Sequence, residues 1–218
     1  WYDRDIKGLR TVAEGIIFRY LADNDEPYLF DDKEIEGVSF SKIVMGIDFG
    51  GNGSKTTFVL QGYINGYTNF RTLEADGLPL TENIGSDEIC NKFVDFSKMC
   101  LAKYRRVDWV FPDSASTTMI NSLIARAKKE GLPFWNHITG CRKNEISQRP
   151  RTLDMLFTTG RLKINRRCVE LRTALKNLRW DEKKPDIPED KNIGNCNDWY
   201  DAFCYTMLDF IEYIDLER

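Results

Sequence analysis

The chain has a single histidine, His137, and none of its six cysteines (Cys90, Cys100, Cys141, Cys168, Cys196, Cys204) stands at CxxC spacing from another. Zinc prefers clustered thiolate and imidazole ligands, and a cysteine nucleophile needs a partnering imidazole, so both chemistries are poor readings. No secretory signal precedes the cysteines and 218 residues build a core without staples, which leads us to expect reduced thiols buried as small hydrophobes in an intracellular protein. No apolar run approaches the roughly 18–20 residues that span a bilayer, so no membrane segment is expected. Neither sign of charge dominates: 31 Lys and Arg face 34 Asp and Glu, a net charge of −3 that excludes a uniformly basic, stand-alone DNA binder. Internal repeats and low-complexity tracts are lacking too. The first residue is Trp1, without a methionine or a targeting pattern, and a piece of a longer protein is expected.

What is present is the composition of a folded domain, 42% hydrophobic and 30% charged. Residues 1–41 read as an acidic lead-in that packs on a single domain spanning residues 42–218, with GIIFRYL (15–21) as a candidate strand. KIVMGIDFG (42–50) is β-branched, almost wholly apolar and stopped by glycines, the pattern of a strand buried on both faces. Residues 56–64 and 67–73 follow, joined by Asn65-Gly66, a two-residue hairpin signal. Residues 86–104 place Ile89, Phe93, Phe96, Cys100 and Leu101 at helical steps, with Ser86 as the expected N-cap. Then come a buried strand at 107–113, a helix at 117–130, a short strand at 134–138, a basic loop at 140–151, a helix to 159, a strand fragment at 162–164, a helix at 168–177 and a final helix at 197–213. The order is α/β, with a mixed central sheet of three antiparallel strands and then parallel ones, flanked by helices.

Asp48 lies in the most hydrophobic strand of the chain, where a carboxylate is costly to bury without a cation or partner. Asp113 ends a second buried run, VDWVFPD, and the carboxyl ends of strands in open α/β sheets are where ligands collect. In NDWYDA, Asp198 and Asp201 stand three apart and share one helix face. For Asp198, stabilising a helix N-terminus is an equal alternative to a functional role. Carboxylates converging without imidazole or thiol point to the hard cations Mg²⁺ or Mn²⁺, two of which commonly serve displacement at phosphate. GGNGSKTT (50–57) imitates a phosphate loop, but Ser54 precedes Lys55 and the following residues favour a strand, so we read a tight turn that keeps space open beside Asp48. Charge is segregated: the segment 100–184 carries a net +11 and the remainder −14. Arg142, Lys143, Arg149 and Arg151 cluster in the expected basic loop and are the candidate phosphate contacts.

GIDFG, VFPDSAS and NDWYDAFCYTM, in this order, resemble the metal-binding triad of the C-terminal nuclease domain of tailed-phage terminase large subunits, which has a ribonuclease H-like fold. AEGIIFRYL (13–21) resembles the stretch joining ATPase to nuclease in that family, so the resemblance runs over nearly the whole chain. It implies a metal-dependent endonuclease, with two Mg²⁺ or Mn²⁺ ions, that cuts concatemeric double-stranded viral DNA during genome packaging in the host cytoplasm. By motif position Asp48, Asp113 and Asp201 match the three metal-binding aspartates. Asp198 falls where many members carry a histidine, as a fourth ligand or only a helix cap. Lys143, in RKNEIS, aligns loosely with a lysine before a hairpin that approaches DNA in relatives. The implied partners are double-stranded DNA, an N-terminal ATPase of the same protein, the portal and the small terminase subunit. IDFGGNG also resembles the phosphate loop of actin- and sugar-kinase-like ATPases, but the second glycine-rich motif of those folds is missing. A junction resolvase of related fold, or a non-catalytic DNA-binding or docking module, are the remaining alternatives.

Overall fold

Among the described residues six strands share one sheet. The computed structural model describes residues 15–50, 54–79, 84–143, 148–184, 186–189 and 196–214. Strands β1 (Leu29–Phe30), β2 (Lys42–Asp48), β3 (Thr57–Ile64), β4 (Asn69–Gly77), β5 (Trp109–Pro112) and β6 (Leu162–Asn165) lie in the order β1-β6-β4-β3-β2-β5. β2 and β4 both run antiparallel to β3 between them, whereas β5 joins β2, β6 joins β4 and β1 joins β6 in parallel. The helices are α1 (Arg19–Asp23), α2 (Ser86–Tyr104), α3 (Thr117–Lys129), α4 (Gln148–Thr158), α5 (Val169–Asn177) and α6 (Cys196–Tyr205).

Side chains alternate across a strand, so β2 feeds two cores. Ile43, Met45 and Ile47 pack with Phe93, Phe96 and Cys100 of α2 and with Ile120, Leu123 and Ala127 of α3. Val44 points the other way, into the core shared with Leu153 and Phe157 of α4, Leu171 and Leu175 of α5, and Ala202 and Phe203 of α6. Gly46 shares that second face and lets α6 lie directly on β2, because a Cβ there would stand 2.0 Å from the Ala202 carbonyl oxygen. β5 alternates in the same sense, with Val110 in the first core and Phe111 in the second. All six cysteines are free and buried. Among the described residues no helix is long and apolar enough to cross a membrane.

Several elements differ from the sequence reading, each for a local reason. Residues 15–21 do not form a strand: Ile16 makes one bridge to Arg179, and α1 then buries Leu21 beside Phe18 at a three-residue step. Gly85, not Ser86, is the N-cap of α2. The hairpin takes four residues, 65–68, since Ile64 pairs with Asn69; Arg161 donates to the Thr68 carbonyl at 2.6 Å and to the Tyr67 carbonyl at 3.2 Å, drawing them away from the ladder. The positive φ values of Asn65 (54°) and Gly66 (70°) start that turn as expected. Residues 135–137 are one 3-10 turn, and the chain becomes extended only afterwards, where Ile138 bridges Val110, Thr139 N–H donates to Val110 and Cys141 N–H donates to Pro112. The last helix stops at Tyr205, because the Thr206 carbonyl accepts the Tyr63 hydroxyl (2.6 Å), and a separate 3-10 segment, Leu208–Tyr213, follows. The basic loop ends early: α4 begins at Gln148, with Pro150 in its first turn, where a missing N–H costs nothing, so Arg149 and Arg151 are helical.

The Gly46→Ala variant is expected to unfold in urea with a stability lower by about 3 kcal/mol, the upper end of overpacking costs, since the helix backbone itself must move. An unchanged midpoint would show that α6 is not seated on β2.

Candidate functional site

Asp48 is the last residue of β2, on the same face as Val44 and Gly46, and is 9% exposed. β5 runs parallel beside it with Ile47 opposite Pro112, and the Asp113 N–H donates to the Ile47 carbonyl at 2.9 Å. Two aspartates thus leave the carboxyl ends of adjacent parallel strands on the face that α6 covers. α6 crosses β2 at Ala202, which carries Asp201 to the same place. The Asp48 carboxyl is driven well above the usual carboxylate range, first by burial and then by the negative charges of Asp201, Asp198 and Asp113; a hydrogen bond from Tyr205 offsets part of this. Asp201 is pushed up to about 6, chiefly by burial, with Arg149 opposing and Asp113 and Asp198 adding to the rise. Burial and the charges of Asp201 and Asp48 hold the Tyr205 phenol protonated, so it serves as the donor. The four aspartates form one electrostatic unit.

The three acids around Asp48 each have polar partners of their own. Lys143 Nζ stands 2.9 Å from Asp113, and that hydrogen bond raises the lysine pKa. Arg149 Nη1 donates to Asp201 Oδ1 at 3.1 Å, and Asn197 Nδ2 donates to Oδ2 at 3.1 Å. Asp198 accepts from Ser54 Oγ at 2.7 Å and from the Lys55 N–H at 2.6 Å. Among the described residues no group of three or more His, Cys, Asp or Glu side chains is arranged to hold an ion. The donor set nonetheless suits a hard cation: it is all carboxylate oxygen, and burial together with neighbouring negative charge raises the pKa values of Asp48 and Asp201.

The expected phosphate contacts separate into two kinds. Arg142 and Arg151 are 73% exposed and Lys143 is 52% exposed, paired in that order with Asp209, Asp186 and Asp113. Arg149, expected in the loop and against phosphate, is instead 5% exposed, turned inward onto Asp201 and lying 5.9 Å from the Tyr205 ring centre. Its place near the start of α4 points it into the core beside Leu153 and Phe157 rather than toward solvent. The tract 138–141 that runs along β5 delivers Arg142 and Lys143 to the Asp113 end of the sheet. Of the expected glycine turn, residues 51–53 lie outside the described residues; a Cβ on Gly50 would meet the backbone of residues 54–56 at 2.4–2.7 Å, so this glycine lets the chain fold tightly on itself. Sequence reasoning missed Tyr205, although its i+4 spacing from Asp201 places it on the same helix face, and missed Ser54, for which no sequence signal exists.

No family model and no curated protein matches the chain. Solved structures do. The large terminase of a thermophilic bacteriophage, in complex with ADP, superposes with a TM-score of 0.67 at 19% identity, over 97% of this chain and 48% of its own. The chain therefore spans about half the length of that protein. The P22 large terminase nuclease domain gives 0.62 at 12% identity, over 95% of this chain and 100% of that domain. The chain has the fold of large-terminase nuclease domains. A further match is the nuclease domain of g2p, the large terminase of bacteriophage SPP1, with bound Mn, at a TM-score of 0.56 and 19% identity over 81% of this chain and 90% of that one. The ribonuclease H-like arrangement expected from the terminase resemblance, a mixed sheet with helices on both faces, is thus the one observed.

The raised Asp201 carboxyl has a consequence for stability. A carboxyl whose folded pKa lies above its unfolded value binds more protons when folded, so stability falls as pH rises between the two. In EDTA, the stability that Asp201 contributes is expected to decline between about pH 4 and its folded pKa of about 6. Melting curves of the parent and of Asp201→Asn across that range check this: the variant should show the shallower decline, and parallel profiles would contradict it.

Proposed function

We propose that this chain is a metal-dependent endonuclease that cuts concatemeric double-stranded viral DNA during genome packaging, with Asp48, Asp113 and Asp201 holding two Mg²⁺ or Mn²⁺ ions. The observation that carries this reading is the placement of Asp48 and Asp113 at the ends of the adjacent parallel strands β2 and β5, where α6 crosses β2, with the buried Asp48 carboxyl pushed up by burial and then by the charges of Asp201, Asp198 and Asp113. The fold shared with terminase nuclease domains, one of them with Mn bound, supports it. These residues would hold the ions through their carboxylate oxygens, and the chemistry supplied there would be activation of a water and stabilisation of the phosphodiester's leaving oxygen. The protein's own contribution is positional. Tyr205 orients Asp48 by donating to it, Arg149 and Asn197 fix Asp201, and the strand pair sets Asp113 beside Asp48. Lys143 neutralises Asp113 and, half exposed, is placed to meet a phosphate together with Arg142 and Arg151.

In the intact protein the partners under this reading are an N-terminal ATPase domain, the portal and the small terminase subunit, in the host cytoplasm. A motor that supplies DNA affinity fits a domain whose own charge is −3.

With Mg²⁺ or Mn²⁺ the chain is expected to cut linear duplex, and EDTA to stop it. Asp48→Asn, Asp113→Asn and Asp201→Asn should each reduce cleavage by at least about 100-fold, as loss of a ligand does. Cleavage that persists in EDTA, or in Asp48→Asn, refutes the metal reading. For binding, Arg142→Ala and Arg151→Ala should each lower the slope of log affinity against log salt by about 0.9, one phosphate contact apiece. Fluorescence anisotropy with a labelled duplex measures this, and an unchanged slope removes that arginine from the interface.

A further inference from the structure

We infer that Asp198 is a positioning residue that latches α6 to the β2–β3 connection, and that it is not a metal ligand. The inference rests on the nuclease reading above and assigns the fourth aspartate a different task. Both of its carboxylate oxygens are engaged by the tract just before β3: Oδ1 accepts from Ser54 Oγ (2.7 Å) and Oδ2 from the Lys55 N–H (2.6 Å). Its backbone carbonyl accepts a third bond, from Thr57 Oγ1 at 2.8 Å. The tract itself is closed from within, since the Gly50 N–H donates to Thr56 Oγ1 at 2.9 Å. The neighbouring residue adds to the latch: the Lys55 ammonium lies 5.1 Å from the Trp199 ring centre and pairs with Glu170 of α5. The absence of a side chain at Gly77 leaves room for Trp199 and Lys55, whose atoms would lie 3.3 and 3.1 Å from a Cβ there.

This accounts for Ser54 and Lys55 of the tract that imitates a phosphate loop, whose residues 51–53 lie outside the described residues. The Ser54 hydroxyl and the Lys55 N–H are donors of the kind that cradle phosphate, and here they hold the Asp198 carboxylate. The mechanical consequence follows from register. Thr57 is the cross-strand partner of Asp48, and Asp198 lies one helical turn before Asp201. A latch between Thr57 and Asp198 therefore fixes the separation of Asp48 from Asp201.

The test compares Asp198→Asn, Ser54→Ala, their combination and Asp201→Asn in the full chain, with Mn²⁺ affinity read from the electron-paramagnetic-resonance signal of the free ion. Asp201→Asn should weaken Mn²⁺ by about 100-fold, whereas Asp198→Asn should weaken it by less than about tenfold. At saturating Mn²⁺, Asp198→Asn should lower kcat by about tenfold or more with KM for duplex unchanged, and the double variant should be no slower than Asp198→Asn alone, because both changes open one latch. Amide hydrogen exchange at Lys55 should accelerate in Asp198→Asn with or without metal. Equal losses of Mn²⁺ affinity in the two aspartate variants, multiplying kcat effects, or unchanged exchange at Lys55 each overturn the inference. A parent chain that takes up no Mn²⁺ overturns the nuclease reading instead, and Lys55 exchange then still decides the latch.

Discussion

The burial of one carboxylate, Asp48, beside further aspartates is the constraint on which this molecule turns. Asp48 has no cationic partner among the described residues, sits at the end of a strand packed on both faces, and faces three further aspartates. An isolated buried carboxylate responds by taking up a proton, and the raised pKa values of Asp48 and Asp201 are that response. The surrounding architecture resists separation of the group. Gly46 brings α6 against β2, the parallel pairing of β2 with β5 fixes Asp113, and Arg149 and Lys143 supply positive charge to Asp201 and Asp113. A domain selected for stability alone gains nothing from such an arrangement, because a well-packed apolar cluster is often as stable as a buried charged one.

The segregated charge has a second use that totals conceal. Part of the basic segment is answered by acids from elsewhere in the chain. Arg166 pairs with Glu26 and Asp31, Arg167 with Asp32 and Glu74, and Arg172 and Lys176 with Asp25. These contacts fasten the acidic residues before β2 along the β6–α5 connection, where β1 extends the sheet. Exposed pairs of this kind contribute little individually, but Glu74, which also receives the Tyr104 hydroxyl, is itself buried. The positive charge in contact with the aspartates comes from Lys143 on Asp113 and Arg149 on Asp201.

The sheet was legible in the sequence because β2, β3, β5 and α2 carry strong, unmixed patterns. The antiparallel meander and the α2 face of Ile89, Phe93, Phe96 and Cys100 were all read from spacing, and those four side chains are buried. Asp48 and Asp113 stood out because a charge inside an apolar run is conspicuous. What periodicity did not reveal was set by contacts between distant segments. Tyr63 ends α6 through the Thr206 carbonyl, Arg161 reshapes the hairpin at Thr68, and Asp201 draws Arg149 inward, across separations of 143, 93 and 52 residues. The start of α4 lay inside the tract expected as a basic loop, and its first turn tolerates Pro150. The latch on Asp198 likewise joins residues 144 apart and leaves no local trace.

The most direct measurement is the position of the metal itself. Crystals of the chain soaked in Mn²⁺ and measured at the manganese absorption edge report ion positions independently of any assay. Two anomalous peaks roughly 3.5–4 Å apart are predicted, ligated by Asp48, Asp113 and Asp201, with the Lys143 ammonium drawn away from Asp113 and Asp198 still bonded to Ser54. Peaks elsewhere on the molecule, or an unligated cluster in well-ordered crystals at saturating Mn²⁺, would contradict a two-metal centre at these aspartates.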